Sequence, residues 1–272
     1  MQDDLKGQVT RGAAEIYEEF FVPALFRQWA PAVADAAGIR AGQRVLDVAC
    51  GTGVLARETA ARVAASGSVA GGSVVGLDRN EGMLAMARRI APAVEWQAGR
   101  AEQLPFPDGS FDAVVSQFGL MFFDDRAQAV REMRRVLKPG GRLAVAVWAA
   151  LENSPGYAAM AALLERLFGA RIAGELHAPF ALGNAGALRA LFAEAGFSDI
   201  KVATHAGTAQ FPSIEAWVRT DVKGWTLADR IDDDQYALLQ REASIALRPF
   251  AKANGEVVFD APAHIAVAER PA

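Results

Sequence analysis

Between Arg44 and Trp148, short β-branched runs alternate with longer stretches of helical periodicity, and few folds accept that order. The runs RVLDVA, SVVGLD, VEWQAG, FDAVVSQ and RLAVAVW read as strands, and GVLARETAARVAA, NEGMLAMARRI and DRAQAVREMRRVL read as helices. PDGS marks a turn before the fourth strand, and KPGG stops the third helix and launches the fifth strand. The alternation predicts an α/β protein with a doubly wound parallel sheet.

The flanks are more helical. Residues 13–36 carry Ile16, Tyr17, Phe20, Phe21, Val22, Leu25, Phe26 and Trp29 at helical spacings, with Pro23 and Pro31 as breaks. These predict covering helices over residues 1–40, ahead of a core at 41–150. Beyond Trp148, helices are expected at Ser154 to Phe168, Gly186 to Ala195, Ser213 to Val222 and Asp232 to Phe250. A β-rich piece at Ile200 to Thr208 and a last strand at Val257 to Ala268 remain, and joining the sheet through the former gives the latter a partner. Residues 151–272 thus read as a helical lid over the ligand plus the last two sheet strands, all within a single structural domain.

Composition excludes several classes. Hydrophobic residues make up 52% of the 272 positions, yet they are spread as short segments. None approaches the roughly 18 to 20 apolar residues that span a bilayer. The opening MQDDLKGQVT is acidic and polar, unlike a signal peptide, so a cytoplasmic location is expected. A single cysteine, Cys50, gives neither an intrachain disulfide nor a metal cluster, and His177, His205 and His264 have no local ligand spacing. No metal is expected. The net charge of −4 argues against a nucleic-acid surface, and Arg131, Arg134, Arg135 and Lys138 read as the solvated face and last turn of a helix.

The stretch RVLDVACGTG, Arg44 to Gly53, carries the chemistry. A strand, a glycine-rich turn and a helix place backbone N–H groups at a positive helix end beside the carboxyl edge of the sheet, where open α/β sheets bind ligands. Asp78 ends the second strand, where a carboxylate takes vicinal ribose hydroxyls. A nucleoside cofactor follows, although GTGVLA also fits the dinucleotide pattern G-x-G-x-x-A. Asp47, at the mouth of the first strand, would repel a pyrophosphate and suits a cationic ligand.

VLDVACGTG, VVGLDRNEGMLAMAR, AEQLPFPDGSFDAVVSQFGLMFF and REMRRVLKPGGRLAVAVW, in that order, make the chain resemble class I S-adenosylmethionine-dependent methyltransferases. The branch is the one similar to ubiquinone/menaquinone C-methyltransferases (methyltransferase type 11). The resemblance covers residues 10 to 150 strongly and the rest in outline. It implies a Rossmann-like seven-stranded sheet, mostly parallel with an antiparallel last strand. It also implies S-adenosylmethionine as methyl donor, with S-adenosylhomocysteine as product. Asp47 and the backbone of Gly51, Thr52 and Gly53 would hold the methionine end. Asp78 would take the ribose, and Arg79 and Met83 would flank the adenine. Ala101 and Glu102 would meet its edge, Gln117 would sit beside the transferable methyl, and Tyr17 would reach in from the N-terminal cover. Two positions depart from the pattern. Ala49 replaces the first glycine of D-x-G-x-G-x-G, and Arg100 stands where many relatives have an aspartate that accepts from the adenine amino group. Arginine cannot accept that bond.

Phe118, Met121 and Phe122 follow a strand's carboxyl end and read either as core or as acceptor-pocket wall, as do Phe21, Trp148, Tyr157 and Phe180. No catalytic base is identified; His177, in HAPFALG, is the candidate among the histidines. The expected reaction is methyl transfer to a small hydrophobic or aromatic acceptor by a monomer or homodimer. Two readings from other classes stay open. A non-catalytic binding or scaffold protein would keep every motif. A nicotinamide-dependent oxidoreductase would use the same glycines but leave Asp47 and LPFPDGSFD unexplained.

Overall fold

The computed structural model describes residues 11–64, 71–224, 227 and 230–271; the opening MQDDLKGQVT and the end of GVLARETAARVAA lie outside them. The first four strands follow the apolar runs closely: β1 (Arg44–Val48), β2 (Ser73–Asp78), β3 (Glu95–Ala98) and β4 (Phe111–Gln117); β5 (Leu137–Trp148) begins earlier than RLAVAVW and takes in KPGG, which was expected as a turn. Between them lie α3 (Val54–Val63), α4 (Glu81–Ile90) and α5 (Arg126–Val136). Asn80 and Asp125 cap the latter two helices through side-chain oxygens that accept from Gly82, Met83 and Gln128 amides.

The sheet has seven strands in the order β3-β2-β1-β4-β5-β9-β6, where β6 is Ile200–His205 and β9 is Ala263–Glu269. Pairings among β1 to β5 are parallel, and β9 runs antiparallel to both β5 and β6. Chain order reverses between β1 and β4, so a crevice opens at their carboxyl ends. Strands β1 and β4 are buried almost throughout and β5 from Leu143 to Trp148, as expected of a sheet covered by helices.

The N-terminal cover begins with α1 (Arg11–Ile16), passes through a π-helical stretch Tyr17–Phe26 and a 3-10 turn Arg27–Trp29, and ends in α2 (Ala30–Ala36). The two prolines do not break it as expected. Pro23 lies within the π-helical stretch without ending it, and Pro31 occupies the first turn of α2, where its missing N–H has no intrahelical partner.

Past β5 come α6 (Pro155–Phe168), α7 (Ala170–His177), α8 (Ala185–Glu194), α9 (Ile214–Lys223) and α10 (Asp233–Ala246). Three expectations are corrected here. Helix α7 was not anticipated. The piece Ile200 to Thr208 is broken, with β6 in the main sheet and β7 (Thr208–Phe211) outside it. The stretch Val257 to Ala268 likewise divides into β8 (Val257–Asp260) and β9, and β7 pairs with β8 in a separate two-stranded sheet. Close packing sets the first break, since a Cβ on Gly207 would fall 2.1 Å from the Trp29 ring. Pro262 marks the second. The last region thus adds a small second sheet to the expected helices and strands, and β9 is not appended at the sheet's end but inserted between β5 and β6. An aromatic core of Tyr157, Phe211, Trp217, Phe250 and Phe259 ties α6, α9 and the small sheet together. Among the described residues no helix is long and apolar enough to cross a membrane.

Candidate active site

The crevice at the carboxyl ends of β1, β2 and β4 holds a cavity of about 950 Å³, its open mouth included. Asp78 organises its floor. One carboxylate oxygen accepts from the Gly51 amide and the other from the Asn80 amide, each at 2.8 Å, which binds the turn after β1 to the turn after β2. Each oxygen keeps capacity for a further donor. Burial raises the Asp78 pKa, opposed by those two amides and by the Arg79 charge.

Beneath the turn, Asp47 is 1% exposed, and neither of its oxygens has a hydrogen-bond partner among the described residues. Burial, then the negative charge of Asp78, push its pKa well above the ordinary carboxylate range, with the Ala56 amide acting the other way. Tyr17 lies against the same turn and its phenol is raised too, by burial first and then by Asp78, Glu18 and Asp47. Arg57 donates to the Thr52 carbonyl and pairs with Glu18, both at 2.8 Å, fastening the turn to the N-terminal cover. The centre of the site is a desolvated cluster of acidic groups, each held toward its neutral form by burial.

Ten of the thirteen residues assigned to the cofactor line this cavity: Tyr17, Ala49, Gly51, Asp78, Arg79, Met83, Arg100, Ala101, Glu102 and Gln117. Asp47, Thr52 and Gly53 lie behind it. Thr52 is buried, its hydroxyl without a partner among the described residues, and Gly53 is a packing glycine: its φ is +89°, and a Cβ there would meet the Trp96 ring. Gly51 does line the cavity. Ala49 adopts a left-handed conformation, at φ +58°. Arg100 turns to the rim, where it donates to Asp124 at 2.6 Å and approaches Glu102 at 3.6 Å, while Arg79 reaches Asp124 at 3.7 Å. Gln117 donates to the Phe26 carbonyl at 3.1 Å and leaves its own side-chain oxygen buried and unpartnered.

The residues read as acceptor wall divide. Phe118 and Phe122 line the large cavity, whereas Met121, 3% exposed, is core. Phe21, Trp148, Tyr157 and Phe180 line a second cavity of about 450 Å³, and Phe26 lines both. Phe118 stacks on Trp148 at 3.9 Å between ring centres. His177 is exposed at the end of α7 and lines neither cavity. His264 is structural: its Nε2 donates to the Gly183 carbonyl, which leaves Nδ1 to accept from Thr204, each at 2.9 Å. The basic cluster is not merely solvated, because Arg135 donates to the Leu104 and Phe106 carbonyls and pairs with Asp108 and Glu132.

Sequence reasoning passed over Phe26, Asn80, Gly119 and Asp221. Asp221 lines the second cavity. A signal for it existed, since Trp217, Val218, Asp221 and Val222 share one face of α9, so a carboxylate interrupts an apolar stripe.

The comparisons agree with this geometry. Residues 46–145 match the family described as Methyltransferase domain. That stretch is similar to a methyltransferase domain, and the chain has a Rossmann-like fold. Over 120 residues the chain is 47% identical to the demethylmenaquinone methyltransferase of Renibacterium salmoninarum, covering 44% of this chain and 47% of that one. Over 151 residues it is 40% identical to the ubiquinone/menaquinone biosynthesis C-methyltransferase of Cronobacter sakazakii, covering 52% and 58%. The chain thus spans about half the length of the curated relatives it matches. Among solved structures, the YcgJ protein of Bacillus subtilis is 24% identical with a TM-score of 0.61 over 90% of this chain and 99% of that one. Phosphoethanolamine N-methyltransferase 2 of Haemonchus contortus, solved with S-adenosyl-L-methionine, is 20% identical with a TM-score of 0.62 over 97% and 58%.

Proposed function

We propose that this chain is an S-adenosylmethionine-dependent methyltransferase acting on a small hydrophobic or aromatic acceptor, as a cytoplasmic monomer or homodimer. The observation that carries the reading is the Asp47 and Asp78 pair at the carboxyl edge of the sheet: one buried carboxyl whose oxygens have no close hydrogen-bond partner among the described residues and one holding the turn with acceptor capacity to spare. A nucleoside with vicinal hydroxyls and a positively charged amino-acid end fits both, and a pyrophosphate fits neither. Such a donor supplies a methyl group on a positive sulfur.

The chain's own residues divide the remaining work. Asp78 accepts the ribose hydroxyls, and Arg79, Met83, Ala101 and Glu102 enclose the base. Arg100, engaged with Asp124 and Glu102, leaves the base edge to backbone groups around Ala101. The turn at Ala49 to Gly53 and the Asp47 carboxyl hold the amino-acid end. Tyr17, Phe26 and Phe118 exclude water and orient the acceptor, which is the main requirement when the donor is already reactive. Residues 151–272 form the acceptor side.

Calorimetric titration with S-adenosylmethionine, S-adenosylhomocysteine and NAD, on wild type and Asp78→Ala, tests the reading. Binding of the two sulfur nucleosides, absent in the variant and not seen with NAD, is expected. Binding of NAD alone would return the oxidoreductase reading, and donor binding without turnover on a broad acceptor panel would return the scaffold reading.

A further inference from the structure

The mouth of the large cavity carries charges that the donor reading leaves without a task. Arg79 follows Asp78 directly and Arg100 lies just past β3; both line the cavity. Asp124, in the loop after β4, faces the two of them with one oxygen: Arg100 Nη2 donates to Oδ2 at 2.6 Å, and Arg79 Nη1 lies 3.7 Å from the same atom. The Asp124 amide donates to Glu102 Oε1 at 3.0 Å, and Glu102 Oε2 lies 3.6 Å from Arg100 Nε. Two positive and two negative side chains thus balance at this rim.

Topology makes the contact informative. In the order β3-β2-β1-β4, the loop after β4 has to pass over the end of β1 before it meets residues that follow β2 and β3. Phe118, Gly119, Phe122 and Phe123 of that loop line the cavity on the way. Asp124 is therefore carried to the arginines by a segment that itself borders the site, and not by being their neighbour in sequence or in the sheet.

A pair of guanidiniums beside a ribose site is a fork for phosphate. In nucleotide sites of this architecture, an arginine near the carboxylate that takes the ribose hydroxyls accommodates a phosphate on the ribose. Arg79 and Arg100 are placed that way relative to Asp78, and the Asp124 carboxylate oxygen lies between them, where a phosphate oxygen would lie. We propose that Asp124 is a specificity-determining residue: it satisfies Arg79 and Arg100 from the protein's own side, so that the cavity takes adenosine with free ribose hydroxyls and turns away adenosine carrying a 2′- or 3′-phosphate. This selection rests on the reading of the cavity as a nucleoside site, and holds whether or not a methyl group is transferred.

Asp78 repels a phosphate at the ribose as well, but it does so with or without Asp124. Removing the Asp124 charge shifts the rim from neutral to positive and leaves Glu102 beside Arg100. Arg100 and Asp124 are about half exposed, so water and salt screen the effect. One such charge is expected to be worth about fivefold in affinity, and less as salt rises.

The test uses the full chain, wild type and Asp124→Asn, titrated at low salt with adenosine, its 2′-, 3′- and 5′-monophosphates, and S-adenosylhomocysteine. Wild type is expected to bind adenosine about tenfold more tightly than the 2′- or 3′-monophosphate. Asp124→Asn narrows that preference about fivefold by tightening the two phosphates, and added salt reverses the gain. A gain of binding is not what a damaged loop produces. The ratio for the 5′-monophosphate, whose phosphate faces the turn after β1, moves less, and adding Arg79→Gln to Asp124→Asn takes the gain away. Wild type binding the 2′- and 3′-monophosphates as tightly as adenosine, a preference that Asp124→Asn leaves in place, or an equal gain for the 5′-monophosphate overturns the assignment. So does joint loss of every adenosine ligand in the variant, which would make Asp124 a support of the loops. Any of these results alongside S-adenosylhomocysteine binding by wild type sinks the selectivity alone; wild type binding no adenosine ligand would sink the nucleoside reading and the selectivity with it.

Discussion

Ala49 and Gly119 occupy one another's space: a Cβ on Gly119 would lie 2.6 Å from the Cβ of Ala49. Ala49 stands in a left-handed conformation at the end of β1, and Gly119 follows β4, so this contact sets how closely the two turns bordering the switch point approach. Gly119→Ala is expected to destabilise the chain by about 1 to 3 kcal/mol through overpacking. Ala49→Gly alone changes stability by less than about 1 kcal/mol, because relief of left-handed strain is offset by the freedom glycine gains when unfolded. Combining them recovers most of the loss. Denaturant midpoints in a double-mutant cycle measure the coupling, and strict additivity would refute it.

Stability is expected to fall as pH rises from about 4 to 8. Asp47, Asp78 and Asp221 all have raised pKa values, so the folded state holds protons that the unfolded chain has released over that window. Asp112, Glu132 and Glu256 are lowered and act oppositely, but only as pH drops through the ordinary carboxylate range and below. Asp221→Asn removes one of the three raised acids. The variant therefore loses less of its melting temperature than wild type between pH 5 and 8, and parallel curves would contradict the assignment.

Arg135 clamps the segment before β4 through the Leu104 and Phe106 carbonyls, each within 3.0 Å. That segment follows directly on Ala101 and Glu102 in the donor cavity. Arg135→Ala is expected to cost about 2 kcal/mol or more, since it strands acceptors and a carboxylate together. Arg135→Lys recovers little, because a point charge does not reproduce the fork. Hydrogen exchange over residues 99–108 should quicken in both variants, with weaker S-adenosylhomocysteine binding.

Phe26 is the ring between the two cavities, and it packs on Tyr17, Phe118 and Trp148. Phe26→Leu is expected to lower stability by roughly 1 to 2 kcal/mol, less than a truncation to alanine. It should also admit bulkier aromatic molecules into the joined space. Unchanged selection by probe size would mean the ring is not the partition.

Much of this was legible in the chain. β2 and β4 fall where SVVGLD and FDAVVSQ placed them, because a buried parallel strand needs an apolar run and its ends carry turn residues. Many residues lining the large cavity were legible for a related reason: they sit at strand ends. Long-range packing was not. Gly53 looked like a ligand glycine and answers to Trp96, and the break before β7 answers to Trp29. Asp221 was hidden because nothing local distinguishes WVRTDVK from an ordinary amphipathic helix until its neighbours close around it.

The insertion of β9 between β5 and β6 bears on synthesis. As the chain leaves the ribosome, β1 to β5 can assemble early, but β5 keeps a bare hydrogen-bonding edge and β6 has no place to dock until β9 arrives. For that interval the nascent protein carries open strand edges of the sort that recruit other chains, and closing them waits on a pairing between residues as far apart as Arg142 and Glu269. The stretch around Ala263–Glu269 thus acts as a final zip, and a chain stalled before it would be the form most exposed to misassembly and to chaperones.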